Sequence, residues 1–140
     1  MKNLIRASLV AVMLAAPVAS QAGTTLLLDH VRMSFVARPD GALTPAKVHD
    51  AIVATGLRHG WTITSEQPGQ LTMSNVVRDA FKVVIRLNYD ASGMTADYVS
   101  SENLGYRTYS GSNAPYIHPK YNKWVHRLMK DVRVSLAESK

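Results

Sequence analysis

The most regular hydrophobic pattern in this chain lies near its C-terminus. Over residues 119–136, apolar side chains recur at spacings of three and four, at Tyr121, Trp124, Val125, Leu128, Val132 and Leu136. At about 100° per residue these positions form one stripe on an α-helix. The opposite side of that helix is basic and carries Lys120, Lys123, Arg127, Lys130 and Arg133. We therefore predict an amphipathic helix with Pro119 in its first turn, where a missing N–H costs nothing, and with its aromatic residues packed against a sheet.

A second amphipathic helix is predicted to begin after Thr44. This threonine can accept a backbone N–H bond as the N-cap, and Pro45 fits the position that follows. One face of the helix is formed by Val48, Ala51, Ile52 and Thr55. Gly60 is a suitable stop signal, whereas Gly56 weakens the helix interior by about 1 kcal/mol relative to alanine. A close approach of this helix to a sheet would explain why Gly56 is there.

Alternating apolar and polar positions predict the strands. The clearest alternation runs over residues 80–89. The other segments of this kind are 26–36, 61–64, 71–77 and 94–100. Breakers at 38–41, 68–69 and 90–93 mark turns between the elements.

The predicted order of elements is β-α-β-β-β-β-α. Because sequential strands joined by short turns pair antiparallel, we expect an α+β fold with an antiparallel meander of four to five strands. Two amphipathic helices most economically cover one face of that sheet. The other face, which carries Lys82 and Arg86, is then open to solvent or to a partner.

The first 22 residues have the layout of a secretory signal peptide. Lys2 and Arg6 form a positive start, residues 9–16 are apolar, and the small-residue sequence SQA ends at Ala22. Cleavage after Ala22 would leave residues 23–140 as a single α+β domain in the periplasm or the medium. Because the chain has no cysteine, we expect a soluble exported protein with neither a lipid anchor nor disulfides.

Charge narrows the classes of partner. The formal net charge is +6, and it falls to +4 once Lys2 and Arg6 are removed. A mild positive excess on an exported protein favours an anionic envelope surface, and an envelope protein is the other candidate partner. Nucleic acid is not expected in that compartment. No later segment is apolar enough to be a transmembrane segment, and the sequence leaves the oligomeric state open.

Polar and aromatic residues are concentrated between the last long strand and the last helix. One set could build a small polar binding pocket, namely Tyr98, Ser100, Ser101, Asn103, His118, Tyr121 and Asn122. Tyr106 and Tyr109 stand among Gly, Ser and Asn residues, a composition that suits recognition loops. A structural interpretation competes at each position, because Ser and Asn side chains satisfy backbone groups in turns. The His118 ring, likewise, could hydrogen-bond the turn at residues 100–103.

The sequence offers no motif for catalysis or for a cofactor. The histidines stand at positions 30, 49, 59, 118 and 126, without a pair at i and i+4 and without a cysteine partner. We therefore predict no metal site. Gly-x-Ser-x-Gly, phosphate-loop and paired-carboxylate motifs are also missing. We accordingly assign no catalytic residue and no cofactor, and we do not expect an enzyme.

Two segments, YVSSENL at 98–104 and IHPKYNKW at 117–124, resemble a group of small exported bacterial proteins without an assigned biochemical function. Many of that group are lipoproteins. The resemblance covers roughly residues 48–136 and includes the Gly-Trp pair at 60–61. This chain departs from the group because it lacks the lipobox cysteine and has a longer segment at 105–115. The resemblance implies an α+β fold and an envelope location, and it implies no catalytic residues.

Three functions are compatible with these features. The first, which we predict, is a small exported binding or interaction module of the cell envelope that uses residues 100–118, with the basic helix as a second contact. The second is an enzyme or enzyme regulator acting on envelope polymers, with a polar pocket near Ser100, Asn103 and His118. The third is a structural partner that pairs through its open sheet face or an edge strand.

Overall fold

A computed structural model describes residues 26–28, 30–36, 38–40, 43–112 and 114–139. The predicted signal peptide lies outside these residues. In chain order the elements are β1 (Leu26–Leu27), β2 (Val31–Ser34), α1 (Pro45–Arg58), β3 (Trp61–Gln67), β4 (Gln70–Val77), β5 (Phe81–Tyr89), β6 (Gly93–Glu102), β7 (Tyr116–Ile117) and α2 (Pro119–Glu138).

The fold prediction is confirmed. Five strands form an antiparallel sheet in the order β2-β6-β5-β4-β3, and two helices complete an α+β domain. Side chains on one face of the sheet are buried together with the apolar stripes of both helices, and they include Leu71, Ile85, Ile52 and Leu128. The other face carries residues such as Lys82 and Arg86, which are exposed. Among the described residues, no helix has the length and apolar character needed to cross a membrane.

The start of the domain differs from the sequence prediction. The single strand expected over residues 26–36 is wrong, because β1 and β2 belong to different sheets. β1 pairs with β7 in a separate two-stranded sheet, and the N–H of Leu28 donates to the carbonyl of Pro115. β2 pairs with β6 instead. Partners far away in sequence decide this change of sheet, and local alternation carries no information about them.

The helix ends follow local chemistry. Thr44 caps α1 by accepting the N–H of Lys47 at 3.2 Å, and Gly60 follows α1 with φ +83°, a left-handed conformation that suits glycine. At the other end of the domain, the guanidinium of Arg38 donates to the last carbonyls of α2, including that of Ala137 at 2.7 Å. This contact satisfies carbonyl groups that a helix end otherwise leaves without partners.

The hairpin turns fix the register of the sheet. Gly69, at φ +74°, follows Pro68 between β3 and β4. Arg78 and Asp79 both adopt positive φ, 54° and 53°, as a type I′ turn between β4 and β5 requires. The carboxylate of Asp90 accepts the N–H groups of the next turn, at 2.7 Å from Ser92 N.

Candidate functional site

A β-bulge in β6 shapes the predicted recognition region. Tyr98 lies opposite Ile85 and Ser100 lies opposite Val84, so Val99 is an extra residue on β6. In a regular strand, residues three apart point to opposite faces. The bulge brings Ser101 to the face of Tyr98, where their hydroxyl oxygens are 2.8 Å apart. It also turns Ser100 to the open face of the sheet, away from Tyr98.

Three tyrosine rings form a layered cluster above this point. The Tyr106 ring stacks flat on the Tyr98 ring, with centroids 4.4 Å apart and an interplanar angle of 2°. The Tyr121 ring of α2 meets Tyr98 edge-on at 5.6 Å. Tyr106 is 42% exposed, Tyr98 is partly buried and Tyr121 is only 1% exposed. The cluster therefore connects the surface loop directly to the core.

Burial raises the pKa of the inner two hydroxyls. Loss of solvent raises the pKa of Tyr98, and the deeper burial of Tyr121 raises its pKa further. Like an exposed tyrosine, both groups are neutral phenols at physiological pH, able to donate as well as accept a hydrogen bond. Among the described residues, the Tyr121 hydroxyl has no hydrogen-bond partner.

The loop that carries Tyr106 is held at both of its ends. Leu104 is 1% exposed, and its carbonyl accepts the N–H of His118 at 2.9 Å. Arg107 and Tyr116 exchange two backbone hydrogen bonds, of 2.9 and 2.7 Å. Tyr109, 49% exposed, packs edge-on against Tyr116 at 5.1 Å. The loop therefore presents the Tyr106 and Tyr109 rings at defined positions.

The remaining predicted residues have structural contacts. Asn103 adopts φ 62° and its amide donates to the carbonyl of Ala80 at 2.6 Å, which ties β6 to the β4–β5 turn. The His118 ring caps α2, with Nδ1 accepting the N–H of Lys120 at 3.1 Å. The expected contact between this ring and the 100–103 turn is wrong, because the backbone of His118 joins the two segments through Leu104 instead.

The enzyme pocket that we considered as an alternative function would use Ser100, Asn103 and His118. Ser100 lies on the open face, Asn103 holds a hairpin turn and His118 caps a helix. The three groups belong to a strand, a hairpin turn and a helix cap, and the enzyme pocket near them stays a prediction. Asn122, another predicted site residue, is buried in the first turn of α2.

The basic side of α2 lies at the surface as the pattern predicted. Lys123, Arg127, Lys130 and Arg133 are exposed, whereas the apolar stripe is buried or, at Trp124, partly buried. Lys120 is an exception, because its ammonium lies 4.8 Å from the centroid of the Phe81 ring. This cation–π contact holds one of the charges against the domain.

Three histidines pair with carboxylates among the described residues. His59 Nε2 lies 2.8 Å from Asp131 Oδ2, and His30 Nδ1 lies 3.3 Å from Asp97 Oδ1. Hydrogen bonds to Asp50 and to Glu66 raise the pKa of His49. In the part of the chain that the structure describes, no group of three or more His, Asp or Glu residues could hold a metal ion.

Sequence reasoning did not assign the residues that fix the loop carrying Tyr106 and Tyr109. Leu104 is a lone apolar residue in a polar segment, and this was the one signal that could have indicated a buried anchor. The pairing of Arg107 with Tyr116 and the stacking of Tyr106 on Tyr98 left no sequence signal, since both depend on how the loop folds back.

Comparison with protein-family models, with curated proteins and with solved structures finds no match to this chain.

Proposed function

We propose that this protein is an exported binding module of the bacterial cell envelope that contacts its partner through the tyrosine loop, residues 104–117. The N-terminal pattern of Lys2, Arg6 and an apolar stretch supports export. The stacked pair of Tyr106 on Tyr98 is the observation that carries the binding role.

The physical argument concerns the entropy of binding. A free surface side chain must be immobilised when a partner binds, at about 0.5–1.5 kcal/mol for each rotamer-rich side chain. Tyr106 is already held by stacking, yet 42% of its surface is exposed. Tyr109 is similarly held against Tyr116. The loop therefore offers two aromatic surfaces whose ordering cost is largely met before binding.

The chemistry of the loop favours an envelope protein as the partner. Tyrosine and arginine are enriched in the cores of protein interfaces, and Arg107 is exposed between the two tyrosines. The basic side of α2 supplies a second contact, suited to an anionic envelope surface. Contacts of that second kind weaken with salt, whereas contacts made by the tyrosine rings depend on it far less.

The proposal can be tested by capture and by NMR. Purified isotope-labelled protein is titrated with envelope extracts and with partners recovered by crosslinking in cells, and backbone amide shifts are followed. We expect saturable shifts in the tyrosine loop, and loss of capture when Tyr106 and Tyr109 are both changed to alanine. Leu57→Ala is a matched control, because Leu57 is 62% exposed on α1. Capture that survives the double change would contradict the proposal.

A structural role for the open sheet face is the second candidate, and one observation favours it. Side-chain hydrogen bonds link Gln70 to Asn88 at 2.8 Å and Asn88 to Asp97 at 2.9 Å. They form a polar row across three strands that a partner sheet or loop could cover. Crosslinks that map to these strands, with the tyrosine loop unprotected, would favour this alternative over the first.

A further inference from the structure

A small cavity beside Trp124 shares no lining residue with the tyrosine loop. It has a volume of about 220 Å³ and is lined by Arg58, His59, Trp61, Asn75, Trp124 and Arg127. We refer to it as the Trp124 cavity. α1, β3, β4 and α2 each contribute to it, so it exists only in the folded domain.

The charge of the cavity is positive. Arg58 and Arg127 bring two guanidinium groups, and no carboxylate is among the described residues that line it. Arg58 donates to the neutral hydroxyl of Thr55 at 3.2 Å. Neither arginine forms an ion pair with another described residue, in contrast to His59, which bonds Asp131. Arg58 also lines a neighbouring cavity together with Asp131 and Glu138. In the Trp124 cavity itself, two guanidinium groups without an ion pair favour a small anion.

The helix dipole explains only one of these arginines. Arg58 is in the last turn of α1, where a positive charge stabilises the helix dipole. Arg127 is in the middle of α2, eight residues after Pro119 and far from the helix end. The helix dipole therefore does not account for Arg127, which has Asp131 as an oppositely charged neighbour one turn later on α2 and also lines the Trp124 cavity.

The floor and wall of the cavity are rigid. Trp61 is 2% exposed, and the Asn75 amide donates to the carbonyl of His59 at 3.1 Å. Trp124 is held by the Phe81 ring, with centroids 6.3 Å apart. A ligand therefore meets a preformed surface, which lowers the cost of binding.

The geometry points to a phosphate group as the occupant. A carboxylate presents two oxygens in one plane and suits a single guanidinium, whereas phosphate offers oxygens to donors from several directions. Arg58 and Arg127 approach from two different helices, which matches the second case. The volume is below the roughly 300–1,000 Å³ of pockets for drug-sized ligands, so it suits one small group. We propose that the Trp124 cavity binds a phosphate group, carried by a soluble ester or by a lipid headgroup.

The chain provides its own reporter for this proposal. It contains two tryptophans, and both of them line the Trp124 cavity. Intrinsic tryptophan fluorescence therefore reports on this cavity and not on the tyrosine loop. Purified protein is titrated at constant ionic strength with glycerol phosphate, and separately with vesicles of phosphatidylglycerol or of phosphatidylcholine.

Charge-matched variants make the test specific. Arg58→Gln and Arg127→Gln should each weaken binding by about tenfold or more, since each removes hydrogen bonds to a charged group. Lys47→Gln is the control, because Lys47 is exposed in the first turn of α1 and belongs neither to the Trp124 cavity nor to the basic side of α2. Circular dichroism confirms that all three variants keep the fold.

The results separate the two sources of phosphate. A saturable fluorescence change with glycerol phosphate, lost in Arg127→Gln and retained in Lys47→Gln, supports the proposal with a soluble ester as ligand. If only phosphatidylglycerol vesicles change the fluorescence, and the change again depends on Arg127, the result supports the proposal with a lipid headgroup as the ligand. The proposal is overturned if neither ligand changes the fluorescence, or if Lys47→Gln weakens binding as much as Arg127→Gln.

Discussion

Replacing Gly56 with alanine tests how closely α1 approaches the sheet. Considered as a helix residue alone, this change should stabilise the domain by about 1 kcal/mol. In the fold, Gly56 is buried, and a Cβ added there would overlap Cε of Met73 and lie 3.6 Å from Cβ of Trp61. The two effects have opposite signs, so the measured change reports on the packing.

The magnitude follows from which atom must move. Overpacking a core typically costs about 1–3 kcal/mol. Met73 Cε is the end of a flexible side chain, but Met73 is itself fully buried in β4, so its displacement disturbs other core contacts. Subtracting the helix gain, we expect Gly56→Ala to lower the free energy of unfolding by about 1 kcal/mol.

Urea unfolding of four variants provides the assay. Ala54→Gly calibrates the helix term, because Ala54 is exposed on the same helix; it should cost about 1 kcal/mol. Met73→Val removes the overlapping atoms. In that background Gly56→Ala should become stabilising, and the double-mutant cycle should show a coupling of at least about 0.5 kcal/mol. If Gly56→Ala alone gives the full helix gain in the parent, the reasoning from packing is refuted.

Three further predictions concern stability. Gly93→Ala should cost about 2–3 kcal/mol in urea unfolding, because its Cβ would lie 2.7 Å from a backbone carbonyl oxygen of β2; a loss below about 0.5 kcal/mol would show that β2 shifts freely. Asp50 and Glu66 raise the pKa of His49 in the folded protein. Protonated His49 therefore stabilises the fold fully below its unfolded pKa of about 6.5, and this contribution is lost as the pH rises through the raised folded pKa. His49→Gln should therefore remove this part of the pH dependence of unfolding, and parallel curves for parent and variant would contradict it. Tyr121→Phe removes a buried hydroxyl without a partner among the described residues and should raise stability by about 1 kcal/mol; a loss of that size in thermal unfolding would reveal a hydrogen bond to this hydroxyl.

The helices and turns were predictable because their causes are local. The apolar stripe of α2 repeats within a few residues of itself, and Pro119 marks its first turn. Thr44 and Gly60 bound α1 through bonds and backbone angles that involve only close neighbours. Short turns such as that at Asp90 then leave antiparallel pairing as the simplest arrangement of the strands.

The candidate recognition surface was predictable only as a region. The sequence placed the tyrosines of the loop near one another, but the bulge at Val99 decided that Ser101, and not Ser100, shares a face with Tyr98. One inserted residue reverses which side chains face the core, and alternation in the sequence does not reveal it.

By itself, the sequence determined the features that depend on neighbours along the chain. These are the two amphipathic helices, the alternating strands, the turns and the α+β class. Only the tertiary structure decided what depends on distant contacts. It separated β1 from β2, stacked Tyr106 on Tyr98, and directed Arg58 and Arg127 from two helices into one cavity. The physical reason is that periodicity reports which face of an element is buried, whereas the partner on that face is selected by the packing of the whole domain.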